Sequence, residues 1–131
     1  MTAIDAVETR FIEVVFPEQA NHYGTLFGGN ALSLMSKAAA IAAARRAGKS
    51  VVMASSDKID FHMPVAVGQL VELCARVERV GRSSMTVKVD VIAETIGKPE
   101  RKLAMQGSFE MVAVDAEGRP TPVNTPAPAA G

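Results

Sequence analysis

Apolar and polar residues alternate along three successive stretches in the second half of the chain. A period of two residues is typical of strands that bury one face and leave the other in solvent. Glycine with serine at 81–84, and glycine with proline at 97–99, separate the stretches, which predicts turns and an antiparallel meander. The apolar positions are Val71, Leu73, Ala75 and Val77 in the first stretch, Met85, Val87, Val89 and Val91 in the second, and Leu103, Met105, Phe109 and Met111 in the third, over 101–114.

A long run without proline or glycine lies earlier in the chain, between the pair Gly28-Gly29 and Gly48. It is rich in alanine and leucine, which favours a helix. Its larger apolar side chains, such as Leu32 and Ile41, spread around most of the helix circumference, and a helix that is apolar nearly all round is buried. We therefore expect a buried central helix whose alanines let other backbone approach closely.

Two further stretches complete the predicted elements. Residues 7–16 mix apolar and charged side chains and end at Pro17, whereas residues 51–61 begin apolar and turn polar at Ser55. Both patterns predict strands. A strand, a long helix and four strands predict an α+β fold in which one antiparallel sheet packs around a central helix. Long edge strands invite pairing with a second copy, so we expect at least a dimer.

Length and composition fit a single domain with its own core. The chain has 131 residues, 48% of them hydrophobic, and a formal net charge of zero. A protein with no excess of basic charge, no tryptophan and one tyrosine is not expected to bind nucleic acid. We assign residues 1–118 to the domain and expect residues 119–131, which are rich in proline and alanine, to form a mobile tail.

Cysteine use and the N-terminal sequence favour a cytoplasmic location. Cys74 is the only cysteine, cannot form an internal disulfide and falls on the charged face of its strand with no sign of activation. The first ten residues lack the basic and then apolar order of a secretory signal. No apolar run reaches the roughly 20 residues that a membrane helix needs, so no membrane partner is expected.

Three separated motifs resemble one known family in order and spacing. They are the stretch from Asn21 to Gly29 with the helix after it, the pair Asp60-Phe61 with Pro64-Val65 and Gly68, and the turn Gly81-Arg82-Ser83-Ser84-Met85. From about residue 10 to about residue 123, the chain resembles the acyl-CoA thioester hydrolases of the hotdog fold. The resemblance implies five antiparallel strands wrapped around a helix, and dimers with a continuous sheet that often assemble as trimers of dimers. It further implies hydrolysis of acyl-CoA to a free acid and coenzyme A, with no metal and no cofactor beyond the coenzyme A of the substrate.

The resemblance also implies that the active site lies at a dimer interface. In the family, an asparagine at the position of Asn21 comes from one subunit and a carboxylate at the position of Ser36 comes from the other. Attack of water on a thioester builds negative charge on the carbonyl oxygen. Backbone N–H groups at the start of the helix, around Gly28 and Gly29, would stabilise that charge. The predicted catalytic residues are therefore Asn21, Ser36 and Gly29.

The predicted substrate-binding residues lie on three segments. Glycine at the helix start lets a substrate approach the backbone. A guanidinium with two hydroxyls in the first hairpin turn suits the phosphate or pantetheine oxygens of coenzyme A. Two residues of the second predicted strand complete the set. These residues are Gly28, then Arg82, Ser83 and Ser84, and finally Asp57 and Phe61.

Ser36 is the main departure from the family. The family usually has an aspartate there, as general base or nucleophile, whereas this chain has Ser36 followed by Lys37. A hydroxyl without an adjacent base cannot take a proton from water at neutral pH, and deleting a general base typically costs about 10²- to 10⁴-fold in rate. Three explanations stay open. The chain has lost or rerouted catalysis, the serine was introduced to trap substrate, or Ser36 binds water for another base, such as Asp57 or His22.

Each marked residue also has a simpler structural interpretation. Asn21 could cap a turn, Ser36 could bond the carbonyl one turn back, and Arg82 could belong to an ordinary solvated hairpin turn. The function predicted from the resemblance is an acyl-CoA thioester hydrolase weakened by Ser36. The alternative is an acyl-CoA binding or sensing protein on the same scaffold, whose pocket holds the ligand without turning it over.

Overall fold

A computed structural model of the chain describes residues 8–123, and five strands with one long helix account for most of them. The predicted order of strand, helix and four strands is confirmed. A short 3-10 turn, Pro17–Gln19, lies between the first strand and the helix. The elements are β1 (Thr9–Val14), α1 (Gly28–Ala47), β2 (Val51–Phe61), β3 (Leu70–Val80), β4 (Ser84–Glu94) and β5 (Arg101–Ala113).

The five strands form one antiparallel sheet in the order β1-β3-β4-β5-β2. The meander predicted from the alternating stretches is therefore confirmed as β3-β4-β5. The first strand flanks β3, and the chain returns through α1 so that β2 pairs with β5. Consequently β1 and β2 form the two edges of the sheet, and the helix packs across one of its faces.

The core lies between α1 and the inner face of the sheet. Inward side chains of β4 and β5 are almost fully buried, and outward ones are half-buried. Alanines and one methionine form the buried side of α1, which lets the helix lie close to the strands. The buried helix residues are Ala31, Met35, Ala38, Ala39, Ala42, Ala43 and Ala47.

The prediction that α1 is buried nearly all round is wrong for the single chain. Leu32 and Ile41 are each 37% exposed, although they lie about 180° apart around the axis. Leu32 is near the start of the helix, whereas Ile41 is on the side turned away from the buried alanines. A sheet of five strands covers only one side of a helix. The apolar residues on the other side therefore stay accessible to a second copy.

Two irregularities interrupt the pairing of β2 with β5. The register shifts between Met53 and Ser55, and again between Asp57 and Asp60, which is the signature of β-bulges. Within the second bulge, Lys58 has a φ of 54°. The bulge directs Ile59 onto Gly107, where a Cβ atom would collide with the Cδ1 of Ile59. Side-chain directions beyond the bulge therefore differ from those of a regular strand.

The C-terminal boundary of the domain also differs from the prediction. Residues 119–123 pack against the domain: Thr121 donates its N–H to the carbonyl of Ala113 at 2.9 Å, and Val123 donates to that of Arg82 at 2.7 Å. Val123 is 4% exposed. The proline-rich composition did not predict this packing, because the segment is held by one buried valine and by three backbone hydrogen bonds, the third from the N–H of Asp115 to the carbonyl of Arg119. The rest of the predicted tail, 124–131, lies outside the described residues.

Candidate active site

The side chain of Asn21 closes a tight turn that ends at Thr25. Its Oδ1 accepts hydrogen bonds from the N–H of Tyr23 at 2.9 Å and from the N–H and Oγ1 of Thr25, each at 3.2 Å. This is the turn-capping role that the simpler interpretation predicted. The two N–H bonds of Nδ2, however, have no partner among residues 8–123. The turn therefore fixes the oxygen of the amide and leaves its NH₂ group available as a donor.

The Asn21 turn is fastened to the segment that precedes β3. Leu26 donates its N–H to the carbonyl of Val65 at 2.7 Å, and Val67 donates to the carbonyl of Gly24 at 3.0 Å. Thr25 and Ala66 form an isolated bridge between the same two segments. The turn thus rests on residues 65–69 and on the helix start, so its position is set by the domain.

The start of α1 presents backbone donors without a side-chain cap. Phe27 is the N-cap residue and makes no capping hydrogen bond. The N–H groups of residues 28–30, in the first turn of the helix, have no acceptor in the described part of the chain. Asn30 is tied down by its Nδ2, which donates to the carbonyl of Gln19 at 2.9 Å. The helix start therefore carries free N–H groups and the positive end of the helix dipole.

The two glycines at this helix start have different surroundings. A Cβ atom at Gly29 would lie 2.9 Å from Cε2 of Phe27, whose ring covers this position, whereas nothing lies within 4 Å of a Cβ at Gly28. Phe27 itself is 54% exposed. Gly29 thus accommodates the Phe27 ring, and Gly28 borders open space where a ligand can approach. Sequence analysis missed Phe27, although an aromatic residue beside a glycine pair was the available signal.

Ser36 makes a local hydrogen bond within α1. Its hydroxyl donates to the carbonyl of Ser33 at 3.0 Å, as the simpler interpretation of this residue predicted. No aspartate or glutamate occurs anywhere in Gly28–Ala47. Ser36 also lies two helical turns beyond Gly28, or about 12 Å along the axis. One chain therefore cannot direct the Ser36 hydroxyl and the helix-start N–H groups at the same carbonyl.

The flanks of α1 show where Ser36 points. Lys37 lies on the β1 side of the helix, with its Nζ 5.9 Å from the ring centroid of Phe11. Ser36 precedes it by about 100° around the axis and lies on the flank toward β2. Across from that flank, Met53 and Phe61 pair with the inward-facing Met111 and Met105 and are about half exposed. The side of the helix that carries Ser36 therefore borders the open edge of the sheet.

Asp57 lies on the other face of the sheet. It pairs with Ser108, which alternates with the buried Gly107 and Phe109 and so faces away from α1. Directly opposed residues in an antiparallel pair share a face. The structure therefore does not bring Asp57 together with the predicted substrate-binding residues on the helix side, whereas it does place Phe61 there.

The turn Gly81–Ser84 is hydrogen-bonded to the end of β5 and to the segment that follows it. The carbonyls of Arg82 and Ser83 accept hydrogen bonds from Val123 and Ala113, at 2.7 and 2.8 Å. Lys49, directly after α1, donates to the carbonyl of Pro122 at 2.9 Å. The turn therefore lies at the C-terminal end of the helix, about 30 Å from its N-terminus for 20 residues. Within one chain, Arg82 is remote from Gly28 and Gly29.

Other site types find little support in the described residues. Burial raises the pKa of the Cys74 thiol, and the nearby Glu72 carboxylate raises it further, so little reactive thiolate forms at neutral pH. Among residues 8–123, no group of three or more His, Cys, Asp or Glu is placed to hold a metal ion. Over the same residues, no helix has both the length and the apolar character that crossing a membrane requires.

Comparison with known proteins identifies relatives over nearly the whole chain. The family model of the thioesterase superfamily matches residues 23–100. A Bacillus subtilis protein named as an uncharacterised acyl-CoA thioester hydrolase is 39% identical over 128 residues, which cover 92% of this chain and 74% of that protein. The crystal structure of an Agrobacterium tumefaciens acyl-CoA hydrolase is 46% identical with a TM-score of 0.83, over 88% of this chain but only 45% of that chain.

Two further solved structures bear on ligand and assembly. An acyl-CoA hydrolase from Staphylococcus aureus, in complex with butyryl-CoA, coenzyme A and its disulfide, is 34% identical with a TM-score of 0.85, over 95% of this chain and 76% of that one. A hexameric thioesterase from Yersinia pestis is 31% identical with a TM-score of 0.84, over 92% of this chain and 98% of that one. The hotdog fold that the sequence predicted is thus confirmed.

The S. aureus enzyme has also been crystallised with an asparagine, an aspartate or a threonine replaced by alanine. Its asparagine and aspartate are separated by as many residues as Asn21 and Ser36. Its aspartate and threonine are separated by as many residues as Ser36 and Met53. Met53 was not among the predicted site residues, because a methionine within a strand offers no polar signal. Of the three side-chain types, only the asparagine is present in this chain at the matching separation.

Proposed function

This chain belongs to the thioesterase superfamily, and from that membership we propose that it binds acyl-CoA and hydrolyses the thioester slowly. Water adds to the carbonyl carbon, the carbon–sulfur bond breaks, and the products are a free acid and coenzyme A. Relatives named as acyl-CoA hydrolases support the substrate class, and so does the S. aureus structure with butyryl-CoA.

The observation that carries this proposal is the set of uncommitted hydrogen-bond donors at one end of α1. The NH₂ group of Asn21 is oriented by the bonds to its own oxygen, and the first N–H groups of the helix end beside the open space at Gly28. Donors that are fixed before the reaction stabilise the negative charge on the carbonyl oxygen without reorganising. The role that we propose for Asn21, Gly28 and Gly29 is to bind this oxygen.

We propose that the site is completed by a second copy, paired through β2. This edge strand has 11 residues and is exposed along nearly its whole length, with Val52 50% and Met53 48% exposed. Antiparallel pairing of two β2 strands would continue the sheet and satisfy the free edge. The pairing reverses the second copy, so that its Arg82 turn lies at the same end as Gly28 of the first.

Such a dimer would also bring the β2-side flank of each helix toward its neighbour. Ser36 of one copy could then approach the Asn21 turn of the other, which one chain alone does not allow. The hexameric Yersinia relative supports self-association, and a trimer of such dimers is our proposal for the full assembly. Within it, Arg82, Ser83 and Ser84 of one copy would contact a ligand held by the other.

The reaction is proposed to be slow because the general base is missing. Ser36 follows Asn21 at the same separation at which an aspartate follows the asparagine of the S. aureus enzyme. Its hydroxyl donates a hydrogen bond to the Ser33 carbonyl. The same observation favours a second candidate, a non-catalytic acyl-CoA binding or sensing protein. The two candidates share the ligand and the site, and they differ only in turnover.

Three further expectations accompany this function. A single buried cysteine suits a reducing compartment, so we propose the cytoplasm, where acyl-CoA would be met. We propose that hydrolysis uses no metal or added cofactor, because water is the nucleophile and hydrogen-bond donors hold the carbonyl oxygen, while the missing base only slows the reaction. Neither nucleic acid nor a membrane is a proposed partner. The location, the independence from a cofactor and the choice of partners are predictions.

Two measurements on the full-length chain test the proposal. Calorimetric titration with coenzyme A is expected to show binding, and a thiol-detecting reagent is expected to show slow release of coenzyme A from a panel of acyl-CoAs. If coenzyme A binds but no acyl-CoA of any chain length is hydrolysed, the chain is a binding or sensing protein. Failure to bind coenzyme A at all would refute both.

A further inference from the structure

A cavity of about 360 Å³ opens at the end of the sheet where β4 passes into β5. It lies outside the residues that the family resemblance marked, although two lysines close to Pro99 in the sequence were a signal. Most of its lining residues are polar or charged, and a methionine and an alanine are the apolar ones. The lining residues are Met63, Gln69, Ala93, Glu94, Thr95, Lys98, Glu100 and Lys102.

The charges around this cavity favour an anion. The amino groups of Lys98 and Lys102 have no ion-pair partner in the described chain. The carboxylate of Glu94 is already engaged, because its Oε1 accepts a hydrogen bond from Nε of Arg101 at 3.2 Å. Glu100 is then the one lining carboxylate without such a partner in residues 8–123, against two free ammonium groups. The two lysines and two glutamates of the lining give a formal charge of zero, but the unpaired groups are two ammonium groups and one carboxylate, which favours an anionic ligand.

The cavity shares a wall with the Asn21 turn. Gln69 accepts a hydrogen bond from the N–H of Ala66 at 2.8 Å and donates through Nε2 to Oγ1 of Thr95 at 3.0 Å. Ala66 also bridges to Thr25, on the other side of the same segment. Residues 65–69 thus separate the free donors of the active site from the lysines. A ligand longer than its reacting thioester can lie across this wall.

We propose that this cavity binds phosphate groups of the coenzyme A portion of the substrate, through Lys98 and Lys102 of the chain that also supplies Asn21. The inference rests on the proposed function and extends it by naming a residue set for the nucleotide end of the ligand. Ammonium groups bind phosphate through charge-assisted hydrogen bonds. Both lysines lie at the same end of the fold as Gly28, whereas the Arg82 of the same chain lies at the other end.

Calorimetric titration of the full-length chain with coenzyme A tests this subsite. The double substitution Lys98→Ala with Lys102→Ala is expected to weaken binding about 10- to 100-fold, which corresponds to one or two lost charge-assisted contacts. The loss should shrink as salt concentration rises. Lys88→Ala is the matched control, because Lys88 lies on the outer face of the sheet, opposite Ser108. Glu100→Gln is expected to tighten binding, since it removes the unpaired negative charge.

Truncated ligands distinguish the phosphate that is bound. If the 3′-phosphate is the group, the effect of the double substitution is lost with dephospho-coenzyme A. If the pyrophosphate is the group, the effect persists with dephospho-coenzyme A and is lost with pantetheine. An unchanged affinity for coenzyme A in the double variant, with normal binding by the parent, overturns the subsite while leaving the proposed function intact. A parent that does not bind coenzyme A overturns both.

Discussion

Replacing Ser36 by aspartate is expected to raise kcat/KM for acyl-CoA hydrolysis by about 10²- to 10⁴-fold, the range that a general base contributes. The serine hydroxyl cannot remove a proton from water at neutral pH, and it already donates to the Ser33 carbonyl. A carboxylate at this position would face the open edge of the sheet beside Met53. The rate is measured as release of free thiol from short and long acyl-CoAs.

Ser33→Asp is the matched control for this prediction. Ser33 is exposed and lies one turn earlier on the same helix, so the substitution adds the same charge at a different place. It is expected to leave the slow rate unchanged. Met53 stands where the S. aureus enzyme, by the same separation from its aspartate, has a threonine. The double variant Ser36→Asp with Met53→Thr is therefore measured together with the single variant. If neither gains rate over the parent, the missing carboxylate is not the cause of slow turnover.

Replacing Asn21 by aspartate in the Ser36→Asp background is expected to lower kcat about 10²- to 10³-fold, the cost of removing one donor to a developing oxyanion. A carboxylate can still accept the hydrogen bonds from Tyr23 and Thr25 that shape the turn. It cannot donate to the carbonyl oxygen, and its charge opposes the negative charge that forms there. The measurement is single-turnover hydrolysis with saturating enzyme.

A control on the fold accompanies the Asn21 variant. Affinity for coenzyme A and the thermal midpoint are expected to stay close to those of the Ser36→Asp chain, because the acceptors of the turn remain. Loss of rate with unchanged binding assigns the Asn21 amide to the transition state. A rate that survives the substitution would show that the NH₂ group has no part in the reaction, whatever its orientation.

The strands were predictable because their burial follows a simple period. In β4, the apolar residues Met85 to Val91 alternate strictly with polar ones, and the structure buries every one of them. The sequence of α1 has no comparable period to indicate which side of the helix the sheet would cover. Leucine, isoleucine and alanine surround that helix, and the position of the sheet decides that Ala39 and Ala43 are buried while Ile41, on the far side, remains exposed.

The remaining differences also have physical causes that are hard to read from sequence. Two bulges in β2 change the register, so the face of Asp57 follows from its pairing with Ser108 rather than from counting along the strand. Backbone hydrogen bonds and one buried valine hold residues 119–123 against the domain, and amino-acid composition gives no information on either. The family resemblance marked Asn21 and Arg82 as parts of one site, but a single chain places them at opposite ends of α1. The dimer that we propose would bring them together, and the pattern of residues along one chain carries no signal for that pairing.

A mixing experiment tests most directly whether two copies share one site. The parent chain supplies Asn21 without a carboxylate at position 36, and a chain with both Asn21→Asp and Ser36→Asp supplies the carboxylate without the amide. When the two are co-refolded, dimers with one copy of each hold one complete site. We predict thiol release far above the sum of the two chains refolded separately, with a maximum near equal proportions. Activity of the mixture equal to that sum would contradict a site built from two copies.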